Sequence, residues 1–336
     1  MRKASFFTSL LTLIICAAGS AYGQMPALQP LPGTGTLAAG SDSFTFVVAG
    51  DNRPATKCDS TKTPPCAPPT PTTGQIFAAA RKIPAAFVLW AGDSIYGKEP
   101  DNESYIESEY KAFLALAADA GAPVFNAPGN HEMDDQKDVP NATMQAFYPK
   151  YMSQPYGSFD YGNSHFIALN TEEIAPAGTK KSPRAKTDSG TTLDPGYVSK
   201  QQLDALAADL EANKDKAHIF IFMHHPIKPY TAADGLNAAS AQALVKLFSK
   251  YNNIEYVLAA HEHLYFNPQS KSGAGKPPGR ADLVKLPPYY LVTGGAGAPL
   301  NGAGKKNKPS ISFFHYLVFT VNKNQVTVKL VKLRKS

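Results

Sequence analysis

Phe44-Thr45-Phe46-Val47-Val48-Ala49 runs without a break into Gly50-Asp51-Asn52-Arg53. A short β-prone apolar run that stops on a glycine and a carboxylate reads as a buried strand delivering a polar side chain at its end. The arrangement recurs along the chain. Residues 85–91, AAFVLWA, lead into Gly92-Asp93-Ser94-Ile95-Tyr96. Residues 218–223, HIFIFM, lead into His224-His225-Pro226, and residues 254–260, IEYVLAA, lead into His261-Glu262-His263. A fifth motif, Gly129-Asn130-His131-Glu132, follows the short strand-like stretch 123–127. Strand ends that all carry Asp, Asn or His converge on one edge of a sheet, where α/β proteins build their sites. The fold class is therefore α/β (α+β), with the chemistry at the strand ends.

The residue types set the chemistry. Mixed carboxylate, amide and imidazole donors suit Mn, Fe, Zn and similar ions. Six or seven such donors exceed what one tetrahedral ion needs, so the sequence predicts two metal ions. Two neighbouring cations need an anion between them, and a carboxylate is the usual bridge. Two adjacent ions also acidify a water enough to give hydroxide near neutral pH.

The order and spacing of the five motifs resemble the calcineurin-like metallophosphoesterases, whose pattern is D-x-H, G-D-x-x, G-N-H-[DE], H-x-P and G-H-x-H. The second and third motifs match fully, and His224 opens a good H-x-P. Ala260 stands where the fifth motif has Gly, and Arg53 stands where the first has His. The resemblance runs from about residue 44 to about residue 333, and the stretch Tyr289-Tyr290-Leu291-Val292-Thr293-Gly294-Gly295-Ala296-Gly297 fits it too. It implies a four-layer β-sandwich flanked by helices. It also implies a ligand set: Asp51 and His263 on the first metal, Asn130, His224 and His261 on the second, and Asp93 between them.

Arg53 cannot ligate a cation, because guanidinium keeps its proton. Tyr96, three residues after Asp93, completes a G-D-x-x-Y pattern similar to that of the purple acid phosphatases, where the tyrosine is a ligand. Two roles are open to it: a phenolate on a ferric ion, paired with Fe, Zn or Mn, or a ring packed beside the site. His131, next to the ligand Asn130, is placed to protonate a leaving alkoxide. Glu132 either orients the His131 ring or is a solvated carboxylate at a helix start. Arg53 either grips a phosphate oxygen or pairs with a nearby acid. His225 cannot face the same way as His224 on an extended segment, so it is expected to pack behind the site.

The first 23 residues read as a targeting segment: Arg2 and Lys3, then an apolar run over 6–18, then small residues around Ala21-Tyr22-Gly23. That run is too short to span a bilayer with confidence, which takes about 20 residues. The mature chain is expected to be exported, periplasmic or extracellular. Of three cysteines, Cys58 and Cys66 lie beyond this segment and bracket a Pro/Thr-rich loop. In an oxidising compartment the natural reading is a disulfide between them. Residues 24–42 read as a flexible linker and 43–336 as one catalytic domain, with helices expected at 74–82, 103–120, 199–213 and 239–251.

The net charge of +6 is dispersed, and no basic helix or aromatic-basic interleaving argues for a nucleic-acid partner. The expected partner is a small phosphate ester. An acid-phosphatase-like phosphomonoesterase is the leading expectation. A phosphodiesterase acting on nucleotides or phospholipid headgroups is the alternative, and a binding protein that kept the fold but lost catalysis is a third.

Overall fold

The structure, a computed structural model, describes residues 23–53, 70–97, 103–133, 142–176, 196–270, 288–302 and 310–333. The targeting segment up to residue 22, Cys58, Cys66 and most of the three long loops lie outside these.

Two sheets face each other. The first is ordered β11-β10-β1-β2-β3, with β1 Ser43–Ala49, β2 Val88–Ala91, β3 Val124–Ala127, β10 His315–Asn322 and β11 Gln325–Lys332. The second is ordered β4-β5-β6-β7-β9-β8, with β4 Gly157–Tyr161, β5 Ser164–Ala168, β6 His218–Phe222, β7 Ile254–Ala259, β8 Tyr265–Phe266 and β9 Tyr289–Thr293. β1, β2 and β3 are parallel, as are β5, β6, β7 and β9. Each sheet therefore presents several carboxyl ends at one edge.

The period-2 alternation of side chains builds the layers. From β2, Leu89 joins Phe46, Phe166, Phe220 and Leu258 in the core between the sheets. Its neighbours Val88 and Trp90 face outward, against α1 (Pro71–Lys82), α2 (Glu103–Ala117) and α4 (Ala142–Tyr151). The outer face of the second sheet carries Ile219, Ile221 and Val257 against α5 (Lys200–Ala212) and α6 (Ala238–Phe248). Helix, sheet, sheet and helix make the four layers the sequence implied. Phe46 stacks on Phe319 at 5.0 Å and meets Phe220 edge-on at 5.1 Å, so aromatic contacts cross the sandwich.

Two sequence expectations are corrected. Residues 24–42 are not a loose linker in the described structure. Met25, Leu28 and Leu31 are buried, and the Leu28 and Leu31 amides donate to Ser158 and Val124 carbonyls at 2.9 and 2.7 Å. Burying each leucine is worth about 1.5–3 kcal/mol, which a Pro/Gly-rich composition conceals. Helix α1 starts at Pro71 rather than 74, because Thr70 caps it through the Thr73 amide and Pro71 occupies the first turn. Helix α4, on which the sequence analysis is silent, contains Pro149 and stays helical by burying Met144, Phe147 and Tyr148.

Candidate metal centre

Each motif leaves the carboxyl end of its strand on a turn. Asp51, Asp93, His261 and His263 have φ of 66°, 56°, 70° and 49°, and the other non-glycine residue with positive φ among those described is Lys323, in the β10–β11 turn. Left-handed backbone at non-glycine residues is uncommon and is held only where the surroundings over-determine it. Here the strands do so: the Asp51 amide donates to the Gly92 carbonyl, the Arg53 amide to the Asp93 carbonyl and the Ala260 amide to the His224 carbonyl. Ala260 fits where the motif pattern has glycine because Gly50 opposes it. A Cβ on Gly50 would lie 2.8 Å from that of Ala260.

Two donor groups result, and Asp93 belongs to both. In the first, one ligand atom each from Asp51, Asp93 and His263 lie within 4.8 Å of one another. In the second, His224 Nε2 stands 3.0 Å from Asn130 Oδ1 and 3.3 Å from Asp93 Oδ1, and His261 Nδ1 stands 3.1 Å from both Asn130 Oδ1 and His224 Nε2. Backbone carbonyls fix the ring tautomers. His224 Nδ1 donates to Ala91 O at 2.8 Å and His263 Nδ1 to Pro299 O at 2.8 Å, which leaves the Nε2 lone pair of each free to ligate.

The residues fit metal ions on their unmet polarity. Both carboxylate oxygens of Asp51 are buried, and among the described residues neither has a hydrogen-bond partner, a costly state unless a cation answers them. Burial pushes the Asp51 carboxyl well above its usual range and the Asp93 carboxyl up to about 7. Burial likewise pushes His224 down to about 4, His263 to about 3 and His261 far down. Burial thus works against charge on every one of these groups, and a cation held among them would favour the ionised carboxylates and the neutral imidazoles. The signs give a prediction. Below about pH 7 a proton competes with metal at Asp93, while the histidines are already neutral above about pH 4. Metal affinity should climb as pH rises from 5.5 through 7. Calorimetric titrations at pH 5.5, 7 and 8 check this, and a flat profile across that window contradicts it.

His131 is brought to the site as expected. Its amide donates to Asp93 Oδ1 at 3.1 Å, and its Nε2 is 4.0 Å from Asp93 Oδ2. Its Nδ1 stands 2.5 Å from the Tyr96 carbonyl, which can only accept, so that nitrogen carries the proton. The half-buried Tyr96 ring lies 5.9 Å from the His131 ring. Arg53 is half-buried, and its Nε has no hydrogen-bond partner among the described residues. Its charge lowers the Asp51 and Asp93 carboxyls against the larger effect of burial.

Glu132 is corrected on both expected roles. It is fully buried rather than solvated, and its carboxylate holds backbone rather than the His131 ring. The oxygens accept from the amides of Asp93 at 3.0 Å, Gly129 at 2.8 Å and Ser94. Glu132 thus ties the Asp93 turn to the Asn130 turn. Glu132→Gln turns one acceptor into a donor against backbone N–H. It should cost about 1–3 kcal/mol and weaken metal retention, read by calorimetry with metal analysis. An unchanged melting midpoint would show that the clamp is dispensable.

His225 packs behind the site, as the sequence suggested, with its ring centroid 3.9 Å from that of His261. Its Nδ1 is 2.6 Å from Glu172 Oε1. Burial would depress the His225 imidazole, but the Glu172 carboxylate raises it overall. Sequence reasoning missed Glu172 and Glu262. Glu172 lies just past the end of β5, so the strand-end signal that found the other motifs applied to it. Glu262 accepts the amides of Tyr230 and Thr231 at 2.8 and 2.6 Å.

The calcineurin-like phosphoesterase family model matches residues 44–265, which hold all five motifs. The chain belongs to that family. This calcineurin-like phosphoesterase is 25% identical over 158 residues to a probable cyclic nucleotide phosphodiesterase from Vesicomyosocius okutanii, a match covering 46% of this chain and 56% of the relative. A dimetal phosphatase from Danio rerio shares the fold with a TM-score of 0.58 at 14% identity, over 85% of this chain and 95% of that one. No helix among the described residues is long and apolar enough to cross a membrane.

Proposed function

We propose that this protein is a hydrolase of phosphoric esters that works with two metal ions and acts most readily on monoesters. The observation that carries the reading is the pair of donor groups sharing Asp93, beside the half-buried Arg53 guanidinium, whose Nε has no partner among the described residues. When bound, the ions supply Lewis acidity and an acidified water. Asp51, Asp93 and His263 hold one ion, and Asn130, His224 and His261 the other. Arg53 adds a donor for a phosphoryl oxygen, and a monoester dianion gains more from an extra cation than a diester monoanion does. His131, held at Nδ1 by the Tyr96 carbonyl, acts as the imidazolium: it gives its Nε2 proton to the departing oxygen as the P–O bond breaks and is left as the neutral Nδ1–H imidazole. Tyr96 is the proposed phenolate ligand of a ferric ion, on its spacing from Asp93 and the loss of a histidine at Arg53. The phosphodiesterase reading is favoured by one observation, the name of the Vesicomyosocius relative. Export is proposed from the basic and apolar residues at the N-terminus.

A panel of mono- and diesters, run on protein whose metal content is measured in the same sample, tests this. Preference for monoesters supports the reading, and selective diester turnover replaces it. A ferric phenolate would colour the protein, and Tyr96→Phe would bleach it. A colourless wild type with two zinc or manganese ions would place Tyr96 in the packing.

A further inference from the structure

Among the described residues two large hydrophobic side chains are exposed, Tyr230 and Ile174. Single exposed hydrophobics are ordinary on a protein surface, but each of these adjoins a segment that supports the metal centre. Ile174 is two residues beyond Glu172, whose carboxylate holds His225 against the His261 ring. Tyr230 is tied to the metal turn directly, since its own amide and that of Thr231 donate to Glu262, the residue between His261 and His263. One carboxylate side chain therefore separates the Tyr230 backbone from the two ligating histidines.

The Tyr230 loop is rigid. Pro226 and Pro229 restrict φ on either side of Lys228. The Leu236 amide closes the loop on the Pro226 carbonyl at 3.1 Å, and the Asp234 amide donates to Thr231 at 2.9 Å. The Tyr230 ring leans edge-on against Phe266 at 5.4 Å, and Phe266 packs on the buried Leu264, Val292 and Ile311. A surface loop meant only for solvent needs no buried carboxylate to hold its backbone. An aromatic ring fixed in advance, 46% exposed, offers a stacking face at little entropic cost.

We infer that Tyr230 is a specificity-determining residue: a flat wall beside the metal centre that stacks the leaving group of the ester. The substrate class is then a phosphoric ester of a planar aromatic alcohol or a nucleoside, rather than of a small aliphatic alcohol. This rests on the hydrolase reading above and narrows it.

The test separates the two. Binding of phenylphosphonate and methylphosphonate, neither of which turns over, is measured on the metal-loaded full chain. Wild type should favour the phenyl compound about ten-fold, Tyr230→Phe should keep that preference, and Tyr230→Ala should lose it. In turnover, Tyr230→Ala should raise KM about ten-fold for phenyl phosphate and a nucleoside monophosphate and leave glycerol phosphate within two-fold. Equal phosphonate affinities in wild type, or an equal loss on all esters in Tyr230→Ala, overturn the wall. Phenyl preference without hydrolysis of any ester overturns the hydrolase reading and leaves the wall standing.

Discussion

Asp93→Asn should strip both metal ions and lower hydrolysis by about 10³-fold or more. The substitution is chosen to remove charge and little else. Asparagine matches aspartate in volume, tolerates a φ of 56°, and can still accept the His131 amide through its oxygen. What it loses is the anion shared by the Asp51–His263 and Asn130–His224–His261 groups. Two cations without that anion repel each other, and neither group alone balances its ion. The apoprotein should fold as well as wild-type apoprotein, because removing a buried carboxylate also removes its desolvation cost. Elemental analysis and thermal melts of both apo forms check this. Two retained ions and ordinary turnover would remove Asp93 from the bridge.

His131→Asn is expected to leave metal content intact and to divide substrates by leaving group. An alkyl phosphate, whose alkoxide must be protonated as it departs, should slow by roughly 10²–10⁴-fold, the usual worth of a general acid. p-Nitrophenyl phosphate, whose nitrophenolate leaves unprotonated, should slow only a few-fold. The Tyr96 carbonyl holds the Nδ1 proton, so in the imidazolium it is the Nε2 proton that is transferred. Equal losses on both esters would show that His131 positions phosphate or supports Asp93 and transfers no proton.

Much of this site was legible in the chain because metal ligation is local chemistry written at strand ends. Asp51, Asp93, Asn130, His224, His261 and His263 each follow an apolar run, and the structure brings all six together with His131. The layers were legible in part: unbroken apolar runs such as FTFVVA and AAFVLWA mark strands covered on both faces, and the resemblance implied the sandwich, but which side chain faces a helix and which the second sheet was not written in them. Where the reading failed, the deciding partner was distant in sequence. Glu132 lies 39 residues from the Asp93 amide it accepts, so nothing near it distinguishes a buried clamp from a solvated helix start. The 24–42 segment looked like a linker by composition, and its burial depends on Ser158 and Val124, more than 90 residues away.

The sequence by itself determined that buried strands end on metal-donor residues, in an order that resembles a family of layered α/β sandwiches, because apolar runs and ligand type are properties of neighbouring residues. Tertiary structure alone decided how those donors are aimed. The carbonyls of Ala91, Pro299 and Tyr96 select the ring tautomers, Gly50 makes room for Ala260, and Glu262 fixes the Tyr230 loop beside the centre. Hydrogen-bond direction and steric clearance depend on which distant backbone atoms meet, and only the packed sheets bring them together.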